Sequence, residues 1–406
     1  MFLCLGLAWI LCVPCIADEG PMPSVATEYM SEGMYNDFES QLQPVMPTAG
    51  SAAELEIGAT SALLMERSTG RVLYEKNADE RRAPASITKV MTLLLTMEAI
   101  DNGKIALTDR VVASAHACHM GGSQIWLEEG EIMTVDHLIK AVCVASANDA
   151  AVALGEHMAG SEEAFVTAMN QRAKQLGMSN THFVNCCGLD APEHYTTARD
   201  IATMSRELIA HPLIAEYSTI WMDTLRNGET QLVNTNKLVR FYEGATGLKT
   251  GTTDEAGYCV SATARKNNMD LIAVVLDGAT SDGRFSDAKQ LLNFGFANWT
   301  MVQGKSDRPL PQNIGVKGGV TERVAVFSEP DRWFLVEKGQ EHDITVKITI
   351  AETAQAPVVA GQVVGKVTYL CENQVLGEQR LLAAADVEQR NFWFSFGQML
   401  KSLFAL

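Results

Sequence analysis

The sequence predicts an α+β fold in two folded parts, followed by an amphipathic C-terminal helix. Three observations carry this. Strand patterns stand at both ends of the stretch from about residue 60 to 300 with helical runs between them; from Gln312 the pattern changes to short alternating strands; the last residues are aromatic and aliphatic at helical spacing. At 406 residues the chain exceeds the usual size of one domain.

Taken in order, the chain opens with an apolar run from Met1 to Ile16 that ends in small residues before an acidic stretch. Residues 1–17 read as a secretory signal cleaved near Ala17. The run carries no Lys or Arg, so a buried N-terminal strand or helix is an alternative, as is a lipoprotein signal at Cys15. Residues 18–52 hold Asp18, Glu19, Glu28, Glu32, Asp37 and Glu39 without one basic residue and with no hydrophobic period. They read as a disordered acidic leader.

A first folded domain is expected over 53–305. Ala62 to Glu66 and Val72 to Lys76 flank Ser68-Thr-Gly-Arg71 as a hairpin, and Tyr258 to Arg265 and Met269 to Leu276 flank Lys266-Asn-Asn268 as another. Alternating helices and loops fill the interval. A small β domain is expected over 306–386, where Ile344, Val346, Ile348 and Ile350 alternate with polar residues and Arg323 to Phe327, Trp333 to Glu337 and Gly365 to Leu370 look similar. Over 387–406, Phe392, Phe396, Met399, Leu400 and Leu403 share one face of a helix opposite Asn391, Ser395, Gln398 and Ser402. The segment is too short to span a bilayer and suits a helix lying on a membrane surface, with packing against the protein's own body as the alternative.

With 32 Lys and Arg against 49 Asp and Glu, the formal charge is −17, which argues against nucleic acid as a partner. Of nine cysteines, Cys118, Cys143, Cys186, Cys187, Cys259 and Cys371 lie beyond the signal. Their spacing describes neither a disulfide framework nor a zinc site. His116-Ala-Cys-His119 comes nearest to a metal cluster but lacks a second ligand pair.

The stretch from Arg82 to Met97 carries chemistry. Ser86 and Lys89 are three residues apart, which on a helix brings their Cβ atoms to roughly 5–6 Å. The run from Ile87 to Ile100 is apolar on nearly every side, so its helix is buried and Lys89 enters the core at its first turn. Burial lowers an amine's pKa and makes it a usable base for the Ser86 hydroxyl, while N–H groups at the helix start can hold an oxyanion. The spacing alone is common. Ser286 and Lys289 repeat it, there read as a helix cap.

Two companions distinguish the first pair. Ser146-Ala-Asn148 follows the apolar run from Leu138 to Val144, and Leu248-Lys-Thr-Gly-Thr252 precedes the second hairpin. A serine and an amide beside the nucleophile can relay a proton and hold a substrate amide. Lys249 and Thr250 can bind a carboxylate, and Gly251 permits close approach. Taken singly, each also reads as a cap, a turn or a polar strand entry.

Together and in this order, the three resemble the motifs of the penicillin-recognising serine peptidases. Arg82-Ala-Pro-Ala-Ser-Ile-Thr-Lys-Val-Met-Thr, Ser146-Ala-Asn-Asp-Ala-Ala-Val-Ala-Leu, Gly188-Leu-Asp-Ala-Pro, Thr197-Ala-Arg-Asp200 and Gly247-Leu-Lys-Thr-Gly-Thr-Thr-Asp-Glu-Ala-Gly-Tyr258 resemble the low-molecular-mass D-alanyl-D-alanine carboxypeptidases over about Thr60 to Trp299. The resemblance implies a β-lactamase/transpeptidase-like sheet with helices on both sides. It also implies Ser86 as nucleophile, Lys89 as base, Ser146 as proton relay and Asn148 as the group orienting the substrate amide. Lys249 and Thr250 would support the Ser146 hydroxyl and, with Arg284, the terminal carboxylate of the peptide, and the N–H groups of Ser86 and Thr252, beside Gly251, would form the oxyanion hole. The implied partners are a peptidoglycan stem peptide and β-lactam inhibitors, outside the cytoplasmic membrane, with no metal or organic cofactor. Some relatives carry His where this chain has Cys187 and Thr252. A β-lactamase, a non-catalytic peptidoglycan sensor, and an endopeptidase or transpeptidase are the rival expectations.

Overall fold

The computed structural model describes residues 25–30, 55–306 and 309–404. The segment expected to be a signal lies outside them. The chain divides into two compact units, one of Met46–Val302 with Phe334–Lys338 and the other of the remaining chain. Its first described element is the strand β1 (Val25–Met30), inside the stretch expected to be a leader without regular structure.

In the larger unit β2 (Ser61–Glu66) and β3 (Val72–Lys76) form the first expected hairpin. A 3₁₀ turn over Ala85–Thr88 leads into α1 (Lys89–Asp101). The short strands β4 (Arg110–Val112) and β5 (Ile132–Thr134) pair around α2 (Ala115–Cys118). There follow α3 (Val135–Val144), α4 (Asn148–Ala159), α5 (Glu162–Gln175), α6 (Ala198–Leu208) and α7 (Ile214–Ser218), then the hairpin β6 (Met222–Leu225) and β7 (Thr230–Val233). After α8 (Leu238–Phe241), β8 (Ala245–Thr253), β9 (Gly257–Lys266) and β10 (Met269–Gly278) run antiparallel and α9 (Ser281–Asn298) closes the unit.

The five-stranded order β3-β2-β10-β9-β8 makes β8 an edge strand. Helices cover both faces, and the strand period of two shows why. In β2, Leu63 and Met65 join a core with α1, α3, α4 and α6, whereas Ala62 and Leu64 join a second core with α9. In β10, Ile272, Val274 and Leu276 face the first core, and Leu271, Ala273 and Val275 the second. A sheet buried on both faces has no polar side, so these strands read as continuous apolar runs. Leu335 of β14 (Trp333–Glu337), which pairs with β11 (Trp299–Gln303), packs in the second core.

Two expectations are corrected. Ser86 sits on the 3₁₀ turn and not on the α-helix, and Ser286 lies inside α9, whose cap is Thr280 accepting from Gly283 N–H. Thr280 has the extended backbone a capping hydroxyl needs, and Ser286 does not mark the helix start.

The other unit contains β12 (Asn313–Lys317), β13 (Arg323–Ser328), β15 (Ile344–Ala351), β16 (Thr353–Gln355), β17 (Val363–Cys371) and β18 (Gln374–Ala383). With β1 they form a sheet in the order β1-β15-β17-β18-β13-β12-β16. β1 lies parallel to β15, supplying the backbone partners that an uncovered edge lacks. The last helix, α10 (Phe392–Phe404), is capped by the Asn391 side chain, which accepts from Phe394 N–H at 2.8 Å.

Candidate active site

Three separate stretches of the larger unit converge on Ser86. The 3₁₀ turn has about three residues per turn, so side chains at i and i+3 eclipse and Lys89 falls directly against Ser86. Lys89 Nζ lies 2.8 Å from Ser86 Oγ, 2.5 Å from Asn148 Oδ1 and 2.6 Å from the Cys187 carbonyl. Two of these partners are carbonyl oxygens, which only accept. An uncharged amine therefore gives its two N–H bonds to Asn148 and Cys187 and keeps its lone pair for the Ser86 hydroxyl. Lys89 is fully buried, and burial lowers its pKa to about 8, opposed in part by the nearby Cys187, Cys186 and the Asp149 carboxylate.

The turn is fixed from several sides. Ala85 has φ of 46°, and its carbonyl accepts the Thr88 hydroxyl at 2.9 Å. Thr88 Oγ1 is 2.8 Å from His194 Nε2, while His194 Nδ1 accepts the Val184 N–H at 3.0 Å. Since Nδ1 accepts, the ring proton sits on Nε2 and is donated to Thr88. Burial, with a contribution from His182, pushes His194 down to about 4, so the ring is neutral around pH 7. Asn185 Oδ1 gathers the N–H groups of Cys187, Gly188 and Leu189. That loop aims the Cys187 carbonyl at Lys89, and Thr92 holds the neighbouring Cys186 carbonyl at 2.6 Å. The Cys187 thiol is buried and raised by burial, the opposite of a reactive thiolate.

Ser146 and Asn148 stand at the junction of α3 and α4. Ser146 is buried with φ of 62°, and its hydroxyl makes no hydrogen bond among the described residues. Asn148 starts α4; its amide bonds Lys89 through Oδ1 and the Gly121 carbonyl through Nδ2 at 2.6 Å. Next to it, fully buried Asp149 accepts the N–H groups of Ile125, Leu127 and Ala150. One helix start thus holds both the lysine and the loop over 121–127.

The edge strand β8 supplies Lys249, Thr250, Gly251 and Thr252. A Cβ on Gly251 would lie 2.9 Å from Ala85 Cβ and 3.0 Å from Ser86 N, so only glycine lets this strand approach the turn so closely. Lys249 is buried, donates to the Thr250 carbonyl at 3.0 Å and is held well below the usual lysine range by burial and then by the charge of Lys89. Thr250 Oγ1 donates to Thr235 Oγ1 at 2.7 Å. Buried Arg284 on α9 donates through Nη1 to the Gly251 carbonyl at 2.9 Å and to Thr252 Oγ1 at 2.8 Å, tying helix to strand.

The three motif stretches therefore meet at this turn, through Asn148 on Lys89 and through Gly251 against Ala85 and Ser86. Thr88, Asp149, Asn185 and His194 were not singled out in the sequence. Asp149 follows Asn148 directly and is the acidic residue expected in a helix's first turn, a usable signal. His194 stands alone in a loop, where nothing in the sequence ties it to a threonine so far away. His116 of the His-Ala-Cys-His stretch pairs with Glu162 at 2.7 Å.

Comparison with known proteins gives consistent matches. Residues 48–280 match the family model described as D-alanyl-D-alanine carboxypeptidase, and residues 302–389 match that described as penicillin-binding protein 5, C-terminal domain. The chain is 41% identical over 344 residues to the D-alanyl-D-alanine carboxypeptidase DacF of Bacillus subtilis (strain 168), covering 84% of this chain and 88% of that protein. It is 33% identical over 361 residues to DacA of Escherichia coli (strain K12), covering 86% and 88%. Among solved structures, penicillin-binding protein 5 from Haemophilus influenzae superposes with a TM-score of 0.72 at 32% identity, over 84% of this chain and all of that one. Penicillin-binding protein D2 from Listeria monocytogenes in its ampicillin-bound form matches with a TM-score of 0.56 at 35% identity, over 60% of this chain and all of that one. With Ser86 paired to Lys89 and met by the junction of α3 and α4 and by the glycine-bearing edge strand, the chain belongs to the D-alanyl-D-alanine carboxypeptidase family.

Proposed function

We propose that Ser86 attacks the peptide bond between the two terminal D-alanines of a peptidoglycan stem pentapeptide. The observation that carries this is the buried Lys89 amine, 2.8 Å from Ser86 Oγ and lowered by burial to about 8, whose uncharged form takes the hydroxyl proton. Lys89 takes the Ser86 proton as the Oγ–C bond forms. The C–N bond then breaks, the proton passes through Ser146 to the leaving amine, and D-alanine departs. Water resolves the ester to give the tetrapeptide and free Ser86.

In this reading the N–H groups of Ser86 and Thr252, beside Gly251, take the oxyanion. Lys249, Thr250 and Arg284 face the terminal carboxylate, which three donors in a dry cleft favour. Asn148 orients the substrate amide and holds Lys89 while the cleft is empty of substrate. A β-lactam acylates Ser86 in the same way. The enzyme works outside the cytoplasmic membrane, with 1–17 directing export. The helix α10 rests on the membrane surface through Phe392, Trp393, Phe396, Met399, Leu400 and Leu403; of these Trp393 is 74% exposed and Leu403 68%. No helix of the described residues is long and apolar enough to cross a membrane.

The test is release of D-alanine from a stem pentapeptide by the full chain and by Ser86→Ala. Release by the wild type and none by the variant is expected, with stable labelling of the wild type by a fluorescent penicillin. Absence of release from the wild type removes the reading, and rapid turnover of the label would mark a β-lactamase instead.

A further inference from the structure

Trp126 is 74% exposed and has φ of 59°, a backbone region that bulky residues avoid. Its neighbours hold it there. The N–H groups of Ile125 and Leu127 bind Asp149 at 3.0–3.2 Å, and Arg226 takes the carbonyls of Ile125 at 2.9 Å and Trp126 at 3.3 Å. Arg226 is itself fixed by Glu131 at 2.7 Å and by Thr230 Oγ1 at 2.8 Å. Such a conformation is strained and persists only where its surroundings impose it. With the backbone fixed in this way, the indole stands out into solvent at a set place beside the loop.

The indole lines a cavity of about 640 Å³ together with Glu128, Arg226, Glu229 and Gln231. The side chains of Glu128, Glu229 and Gln231 make no hydrogen bond among the described residues and are open to a ligand. We propose that this cavity is a subsite for the amino-sugar end of the substrate, resting on the carboxypeptidase reading above. A pyranose ring would lay its C–H face on the indole and give its hydroxyls to the two carboxylates and the amide. The hollow is open to solvent, as a site for one end of a long polymer must be, and is far larger than a lone ammonium group needs.

The position fits the length of the substrate. Asn148 binds the Gly121 and Ser123 carbonyls, the latter at 2.7 Å through its own N–H, so this end of the loop borders Ser86 and Lys89. Trp126 follows three residues later, at most ~11 Å away. Four stem residues separate the scissile carbonyl from the sugar, a span of up to ~14 Å.

The test compares D-alanine release by the full chain from one pentapeptide, free and linked to N-acetylglucosaminyl-N-acetylmuramic acid, for wild type, Trp126→Gly and Glu229→Ala. The wild type is expected to favour the sugar-linked form. Trp126→Gly should lower the ratio of the two kcat/KM values roughly three- to tenfold, chiefly through KM, the scale of one aromatic contact. Its Tm should not fall, since glycine accepts the positive φ; should it fall, the ratio for Glu229→Ala decides. Equal kcat/KM for both substrates in the wild type, or an equal drop on both in the variants, overturns the subsite. So does an effect of Trp126 that vanishes when the peptide's side-chain amine is acetylated and is indifferent to the sugar. Release from neither substrate overturns the carboxypeptidase reading, and the subsite with it.

Discussion

A Cβ placed on Gly188 would lie 1.9 Å from the Ala85 carbonyl oxygen and 2.9 Å from Ser86 N, with Gly188 at φ of +89°. The backbone of this loop is thus the wall against which the Ser86 turn rests. Gly188→Ala adds both a backbone clash and an unfavourable φ, so it should displace the turn. Labelling by a fluorescent penicillin is expected to be lost, with a stability loss above about 4 kcal/mol by denaturant unfolding, the range of a severe point mutation.

If Lys89 is the base, it acts only when uncharged. With its pKa lowered to about 8, kcat/KM for D-alanine release should rise with pH and level off above about 8. Lys89→Arg stays protonated throughout and should lower kcat/KM by roughly 10²–10⁴-fold at every pH, checked by a pH profile of both proteins.

His194 gives a stability signature. Its folded pKa near 4 lies below the ordinary 6.5, so the unfolded chain binds the proton first as pH falls. The group's contribution is complete above about 6.5 and is lost as pH drops towards 4, on the order of 3 kcal/mol in all. His194→Gln should remove this part of the acid sensitivity, so the difference between wild-type and variant unfolding free energies should shrink between pH 6.5 and 4.

Asp149→Asn replaces a carboxylate that accepts three backbone N–H groups with an amide that brings donors of its own. A loss of about 2–4 kcal/mol is expected. Faster proteolysis between Gly121 and Leu127, read by mass spectrometry, should accompany it.

Much of the fold was legible because local pattern and tertiary role agree. The two expected hairpins of the five-stranded sheet appear where their turn residues and apolar runs place them, as β2 with β3 and β9 with β10, while a third, β8 with β9, was not foreseen. The strand at Ile344–Ala351 follows its alternation. The three motif stretches stood out together by their resemblance to a known family, since residue type and spacing taken singly fit caps and turns as well. What escaped depends on partners distant in sequence. His194 acquires meaning only from Thr88, 106 residues away, and β1 forms only because β15 offers it an edge. The 3₁₀ turn at Ser86 escaped because the run after it is so strongly helical that nothing local marks the change of pitch.

The order of the strands also sets when the enzyme can come into being. β8, which carries Lys249, joins β2 only through β9 and β10, both made later, and Leu63 of β2 pairs with Val274. Contacts that close so long a loop form slowly. A growing chain that stops before Met269 holds every motif stretch yet lacks β10, the strand that ties β9 and β8 to β2, so reaction with penicillin is expected to report on completed synthesis.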